Sequence, residues 1–207
     1  MQYTSAGKAG FITGMYIVIV PILGLFMGVH TRLLTWMGIA LAVLGLYQLS
    51  VVTGKDGLHI NRGDVMQLIG AVFWAMHVVT LGTLARRVPD LVGLSAWQFV
   101  VAALWSALLM FGLETPQWQG FREEWLPLLY AGVVASGVAF TLQVIGQRGV
   151  ANEVAALILA LEAVFALLMG MLFLGEQLDG QQWLGCGLML AGIMLTLWPE
   201  KPQALAV

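Results

Sequence analysis

Stretches without a single Asp, Glu, Lys or Arg recur along the chain at 9–31, 33–54, 65–85, 91–113, 125–147 and 180–199, and a seventh, 154–175, is interrupted only by Glu162. A helix needs about 20 mostly apolar residues to cross about 30 Å of hydrocarbon, so the pattern predicts seven membrane-spanning helices. The polar residues collect in the gaps, in KDGLHINRGD (55–64), RRVPD (86–90), ETPQWQGFREE (114–124) and GEQLDG (175–180). Barrel strands do not fit, because the runs are about twice as long as a tilted strand requires and lack its alternation. Helices also satisfy their own backbone hydrogen bonds in lipid. Trp36, Trp118, Trp125, Trp183 and Trp198 fall near the ends of runs, as in an aromatic belt. Gly10/Gly14, Gly24/Gly28 and Gly132/Ser136 have the four-residue spacing that lets helices approach closely.

Composition agrees with the pattern. Of 207 residues, 60% are hydrophobic and 10% charged, with a mean hydropathy of +0.90. A soluble protein carries about 25% charged residues; this chain has too few to cover a water-facing surface. The expected class is an all-α polytopic membrane protein. The first run is too long for a signal-peptide core, contains Pro21 and is followed by no small-residue cleavage site, so it is expected to be a span. Arg32, Arg86, Arg87, Arg148 and Lys201 lie on one side of the expected membrane. Lys8, Lys55, Arg62 and Arg122 lie on the other, a slight bias toward a cytoplasmic C-terminus.

Several function classes lose support. A basic stripe for nucleic acid is absent. The lone Cys186 offers neither a disulfide nor a metal pair, and His30, His59 and His77 are far apart. The chain has no H-E-x-x-H, Walker A or G-x-G-x-x-G, and GVVASGV (132–138) is not G-x-S-x-G because Val134 replaces the first Gly. An enzyme is not expected, and no cofactor is implied.

An internal repeat is legible. WMGIALAVLGL (36–46) and WLGCGLMLAGI (183–193) both fit W-x-G-x-x-L-x-x-x-G. The spans before them also match, YIVIVPILGLFMG (16–28) lying over ILALEAVFALLMG (158–170) with Val20 opposite Glu162. The copies are five spans apart. An odd unit read twice lands upside down the second time, which gives an inverted-topology repeat. Two complete units need ten helices. The expected plan is therefore the last two helices of a first five-helix repeat at 1–54, a complete second repeat at 63–199 and a polar tail at 200–207, with three helices missing before Met1.

YTSAGKAGFITGMYIVIVPILGL (3–25), GDVMQLIGAVFWAMHVVTLGTLARR (63–87) and LEAVFALLMGMLFLGEQLDGQQWLGCGLMLAGI (161–193) make the chain resemble the drug/metabolite transporter superfamily, and within it the EamA-domain proteins. The resemblance implies ten helices in two inverted repeats, moving small metabolites or drugs through a central cavity in the inner (plasma) membrane. The family usually reads Leu-Glu-Pro where this chain has Leu161-Glu162-Ala163, a change that removes an expected kink. Its Gly-Glu near the end of that helix is kept as Gly175-Glu176.

The candidate binding residues follow from the cost of polar groups in oil. A carboxylate at the bilayer centre costs about 3 kcal/mol on insertion scales, so Glu162 must pair, face water or hold a proton. It could couple proton movement to substrate movement or attract an amine; the structural alternative is a carboxyl that joins two helices. His77, one turn from Trp74, is the other titratable group at depth, and it could line the cavity or bond a neighbouring helix. Gln98 and Gln143 place amides inside spans that need partners for them. Trp74, Trp97 and Trp105 lie away from span ends, as cavity wall or packing. Tyr16, five residues before Pro21, is a further candidate for the cavity. The expected partners are a small-molecule substrate, the lipid bilayer and either a second copy or the missing helices. The competing function is a non-transporting fragment that associates with other helices.

Overall fold

The computed structural model describes residues 6–49, 61–113, 118–175 and 177–198. Lys55, the stretch 114–117, Glu176 and the tail at 200–207, on which parts of the expected loops, charge balance and domain plan fall, lie outside the described residues.

Spans begin where the polar gaps supply caps. Asn61 and Asp64 bond reciprocally, each side chain accepting from the other's backbone N–H at 3.0 and 2.9 Å, and so start α4 (Arg62–Arg87). Asp90 accepts from Gly93 N–H at 2.8 Å at the start of α5 (Leu91–Leu113), and a Cβ on Gly93 would collide with that carboxylate. Asp179 and Gln182 form a full capping box before Gly180–Thr196, the last described helix. These side chains satisfy N–H groups that the first helical turn leaves open. Asp179→Ala should cost about 1 kcal/mol, read as a lower thermal midpoint in detergent.

In the N-terminal region α1 (Ala6–Gly14), α2 (Tyr16–Phe26) and α3 (Leu33–Tyr47) precede α4. After α5 come α6 (Trp118–Glu123), α7 (Trp125–Leu129), a π-helical segment (Tyr130–Val138), α8 (Ala139–Gln147), α9 (Asn152–Leu159), α10 (Glu162–Leu174) and α11 (Gly180–Thr196). Taking continuous segments together, five described helices are long and apolar enough to cross a membrane: Ala9–Phe26, Arg62–Arg87, Leu91–Leu113, Trp125–Gln147 and Asn152–Phe173. The other two expected spans are shorter. α3 has 15 residues and α11 has 17, roughly 22 and 26 Å at 1.5 Å per residue. α11 stops at Thr196, with Leu197 as its C-cap.

The described residues fall into two units. The first takes its residues from Met1–Val79 and Ala151–Val207. Its core packs Tyr16, Ile17, Val20, Ile39, Leu46, Val78, Leu157 and Met189, with α2 against α9 and α3 against α11. Among the described helices, α3 and α11 make the most extensive contact. A Cβ on Gly45 would lie 2.6 Å from the Gly185 carbonyl oxygen, and one on Gly185 would lie 2.7 Å from that of Gly45. Gly38 and Gly192 face each other in the same reciprocal way. Carbonyls rest directly over glycine Cα atoms, so the backbones touch with nothing between them. These four glycines make the close approach. Of the pairs expected to do so, Gly14 packs on the Leu46 side chain, whereas Gly10, Gly28 and Gly132 would present a Cβ to open space.

The second unit takes residues Thr80–Val150. Leu81, Ala85 and Val144 form its small core with Leu91 and Leu94. Ser95 and Thr141 hydroxyls bond at 2.8 Å, Thr141 donates to the Gly137 carbonyl at 2.6 Å, and Phe99 meets Phe140 edge-on at 5.8 Å. Leu104, Leu108 and Phe111 of α5 are exposed. Such an apolar exterior suits hydrocarbon rather than water.

Candidate substrate site

The first and sixth spans each contain a turn, and the candidate residues Tyr16 and Glu162 lie at these turns. The first turns at Met15, where Met15 N–H bonds Ile12 O at 3.2 Å and Val18 N–H bonds Met15 O at 3.0 Å, both three residues back instead of four. The sixth turns at Ala160–Leu161, with Leu161 N–H on Ile158 O at 3.1 Å and Ala163 N–H on Ala160 O at 3.3 Å. The loss of Pro at position 163 therefore does not straighten this span. Local tightening to three-residue bonds, the 3₁₀ pattern, breaks it without a proline ring. Pro21, by contrast, lies inside the continuous α2. Tyr16 and Glu162 are each the first residue of the half-helix that follows the turn.

A cavity of about 360 Å³ opens at this place. Its polar lining is Tyr16 and Glu162. The remaining wall is Leu46 and the small residues Gly10, Gly14, Ala160, Ala163 and Ala166. Ligand pockets run from about 300 to 1,000 Å³, so the space is that of a compact molecule. Glu162 is exposed, while Tyr16 is almost completely buried, at 1% exposure. The Trp74 side chain is in hydrogen-bonding reach of the Tyr16 hydroxyl, and the Glu162 charge acts on it.

α4 supplies the aromatic side of the same unit. Gln67, Trp74 and His77 recur at helical spacing on one face. Gln67 donates to the Thr13 hydroxyl, which in turn bonds Ala9 O at 2.9 Å. Trp74 meets Tyr16 edge-on, with ring centroids 6.4 Å apart, and His77 stacks on Trp74 at 5.2 Å. The structure thus brings together Tyr16, Trp74, His77 and Glu162 in one unit.

The other four candidates, Trp97, Gln98, Trp105 and Gln143, lie in the second unit. Trp97 is 69% exposed, as is Trp105 at 63%. Gln143 donates to the Gln147 side chain at 3.4 Å. Gln98 has both amide atoms shielded from solvent with no hydrogen-bond partner among the described residues. Sequence reasoning did not single out the alanine wall. Ala160, Ala163 and Ala166 at three-residue spacing around Glu162 were its visible trace. Among the described residues no three His, Cys, Asp or Glu side chains are grouped to hold a metal ion.

Apolar helices of spanning length, two of them turning beside the Glu162 cavity, fit a polytopic membrane protein. The chain belongs to the EamA-like transporter family, whose model matches residues 61–198. An uncharacterized transporter of Archaeoglobus fulgidus is 31% identical over 94% of this chain and 61% of its own length. The uncharacterized transporter YwfM of Bacillus subtilis is 26% identical over 83% of this chain and 57% of its own length. The uncharacterized inner membrane transporter YedA of Escherichia coli K12 is also 26% identical, over 84% of this chain and 58% of its own length. The chain thus spans about three fifths of each of these relatives. A crystal structure at 21% identity superposes with a TM-score of 0.78 over 94% of this chain and 68% of that one, which establishes a shared fold.

Proposed function

We propose that the chain carries the substrate site of a secondary transporter of the inner membrane, in which two inverted five-helix repeats rock about that site and Glu162 is the ionisable switch. The single observation that carries this reading is the exposed Glu162 carboxyl lining a cavity where two broken helices meet. A lone carboxylate there needs a counter-cation, water or a proton, and each passage of substrate can change which of these it has. YedA, named an inner membrane transporter, supports the location.

The glycine contact supports the inverted repeat. In the alignment of 36–45 with 183–192, Gly38 corresponds to Gly185 and Gly45 to Gly192. In space, Gly38 meets Gly192 and Gly45 meets Gly185. Each glycine touches the counterpart of the other, the self-complementary pattern of a two-fold contact. The two helices run antiparallel, so the relating axis lies across them, as an inverted-topology repeat requires. The two span breaks fall within one turn of each other in the companion alignment.

Alternating access predicts that the cavity wall meets both aqueous phases in turn. In the complete protein, with Cys186→Ala removing the only thiol of this chain, Ala166→Cys should react with a membrane-impermeant maleimide from either side of the membrane. Labelling from one side alone, at every substrate concentration, would contradict the mechanism.

A further inference from the structure

We propose that the basic end of the second unit, built by Arg86, Arg87 and Arg148, binds the phosphate of an anionic membrane lipid. The fold gathers these three cations. α4 ends in Arg86 and Arg87, and Arg148 is the C-cap of α8. Val144, one turn before Arg148, is buried with Leu81 and Ala85 of α4 in one cluster. Arg86 Nη1 donates to the Val150 carbonyl at 3.3 Å, which fastens the end of α4 to the turn that follows α8. All three arginines are exposed. A cation at a helix C-terminus ordinarily serves the last carbonyls, and the Arg86 bond is of that general kind. The Arg87 and Arg148 side chains make no hydrogen bond or ion pair among the described residues.

Charge and position select the occupant. Three arginines against Asp90 leave this end at +2, and Asp90 already accepts from Gly93 N–H. The connection at the other end of α5, 114–124, carries Glu114, Glu123 and Glu124 against Arg122, or −2. Between the two ends, 91–113 and 125–147 hold no Asp, Glu, Lys or Arg. The unit therefore offers its positive end to one face of a bilayer only. Leu84 and Ile145, each three residues before one of these arginines, are exposed and apolar. The cations thus stand at the rim of a surface suited to hydrocarbon, the depth at which a lipid places its phosphate. All three are arginine, whose planar fork matches phosphate oxygens two at a time. The inference needs only a chain that spans the membrane and does not rest on Glu162.

Native mass spectrometry of the purified complete protein, mixed with phosphatidylglycerol and phosphatidylcholine of identical acyl chains at equal concentration, tests the assignment. Phosphatidylglycerol should be retained at least about fivefold more than phosphatidylcholine. Arg87→Gln combined with Arg148→Gln should remove most of that preference. The pair spares the Arg86 bond to Val150, so the thermal midpoint in neutral detergent should stay unchanged. Arg122→Gln, at the acidic end, should leave the preference as it is. Inorganic phosphate in tenfold excess over lipid should not displace phosphatidylglycerol. Equal retention of the two lipids would overturn the assignment, as would full preference in the double variant. Displacement by inorganic phosphate would overturn it too, and would make the arginines a site for a free anion. Should the double variant fail to fold, Arg87→Gln alone must still lower the preference, and no change in that variant would count against the site.

Discussion

Gly192→Ala should destabilise the protein by about 2–3 kcal/mol, the upper range for forcing a group into a filled contact. The sign is the informative part. Replacing an exposed helical glycine by alanine ordinarily gains up to about 1 kcal/mol, because alanine loses less backbone entropy on folding. At Gly192 the added methyl would enter the Gly38 carbonyl and press on the Ala42 nitrogen at 3.2 Å. Backbone atoms cannot rotate away as a side chain can, so the helices must separate and lose contact along their length. Gly187, five residues earlier on α11, is exposed and has no atom within 4 Å of its would-be Cβ. Gly187→Ala should therefore leave the thermal midpoint unchanged or raise it, while Gly192→Ala lowers it by several degrees. If the two variants melt alike, α3 and α11 do not meet through their glycines.

Glu162→Gln should reduce substrate exchange about ten- to a hundredfold at a fixed pH. The amide keeps the size of the side chain and one oxygen, but it loses the charge and every charge-assisted bond. Such a bond is worth about 1.5–3 kcal/mol, and about 1.4 kcal/mol is a factor of ten. The measurement is counterflow of a labelled substrate across proteoliposomes holding the complete protein. Other titratable groups stand nearby. Tyr16 lines the same cavity and His77 stacks on Trp74, so Tyr16→Phe and His77→Gln belong beside Glu162→Gln. Both should keep more of the exchange than Glu162→Gln, since neither removes the carboxylate.

The helical spans were legible because hydrocarbon imposes a coarse rule. A charge-free run of about 20 residues shows in the sequence whatever its neighbours are. Glu162 was legible for the same reason, as the one exception to the rule inside a run. The breaks at Met15 and Ala160–Leu161 were hidden, because three-residue backbone bonds form there in ordinary apolar sequence and the proline that would have flagged the second break is absent. The repeat motif exposed Gly38, Gly45, Gly185 and Gly192 as matching letters. Their contact could not be read, since spacing along one helix says nothing of which helix it meets. Tyr16 and Trp74 were noticed separately, one from its place before Pro21 and the other from its depth. Their shared edge depends on how α2 and α4 rotate about their own axes, and Gln67 of α4 is tied to Thr13 of the preceding α1.

The account turns on whether Glu162 couples proton and substrate, and pH-driven accumulation measures that directly. With a pH gradient imposed across proteoliposomes, the native protein should concentrate substrate above equilibrium. The Glu162→Gln protein should only equilibrate it, leaving residual exchange that ignores pH. Accumulation by the Gln variant equal to that of the native protein would contradict the account, and would leave Glu162 as a structural link between helices.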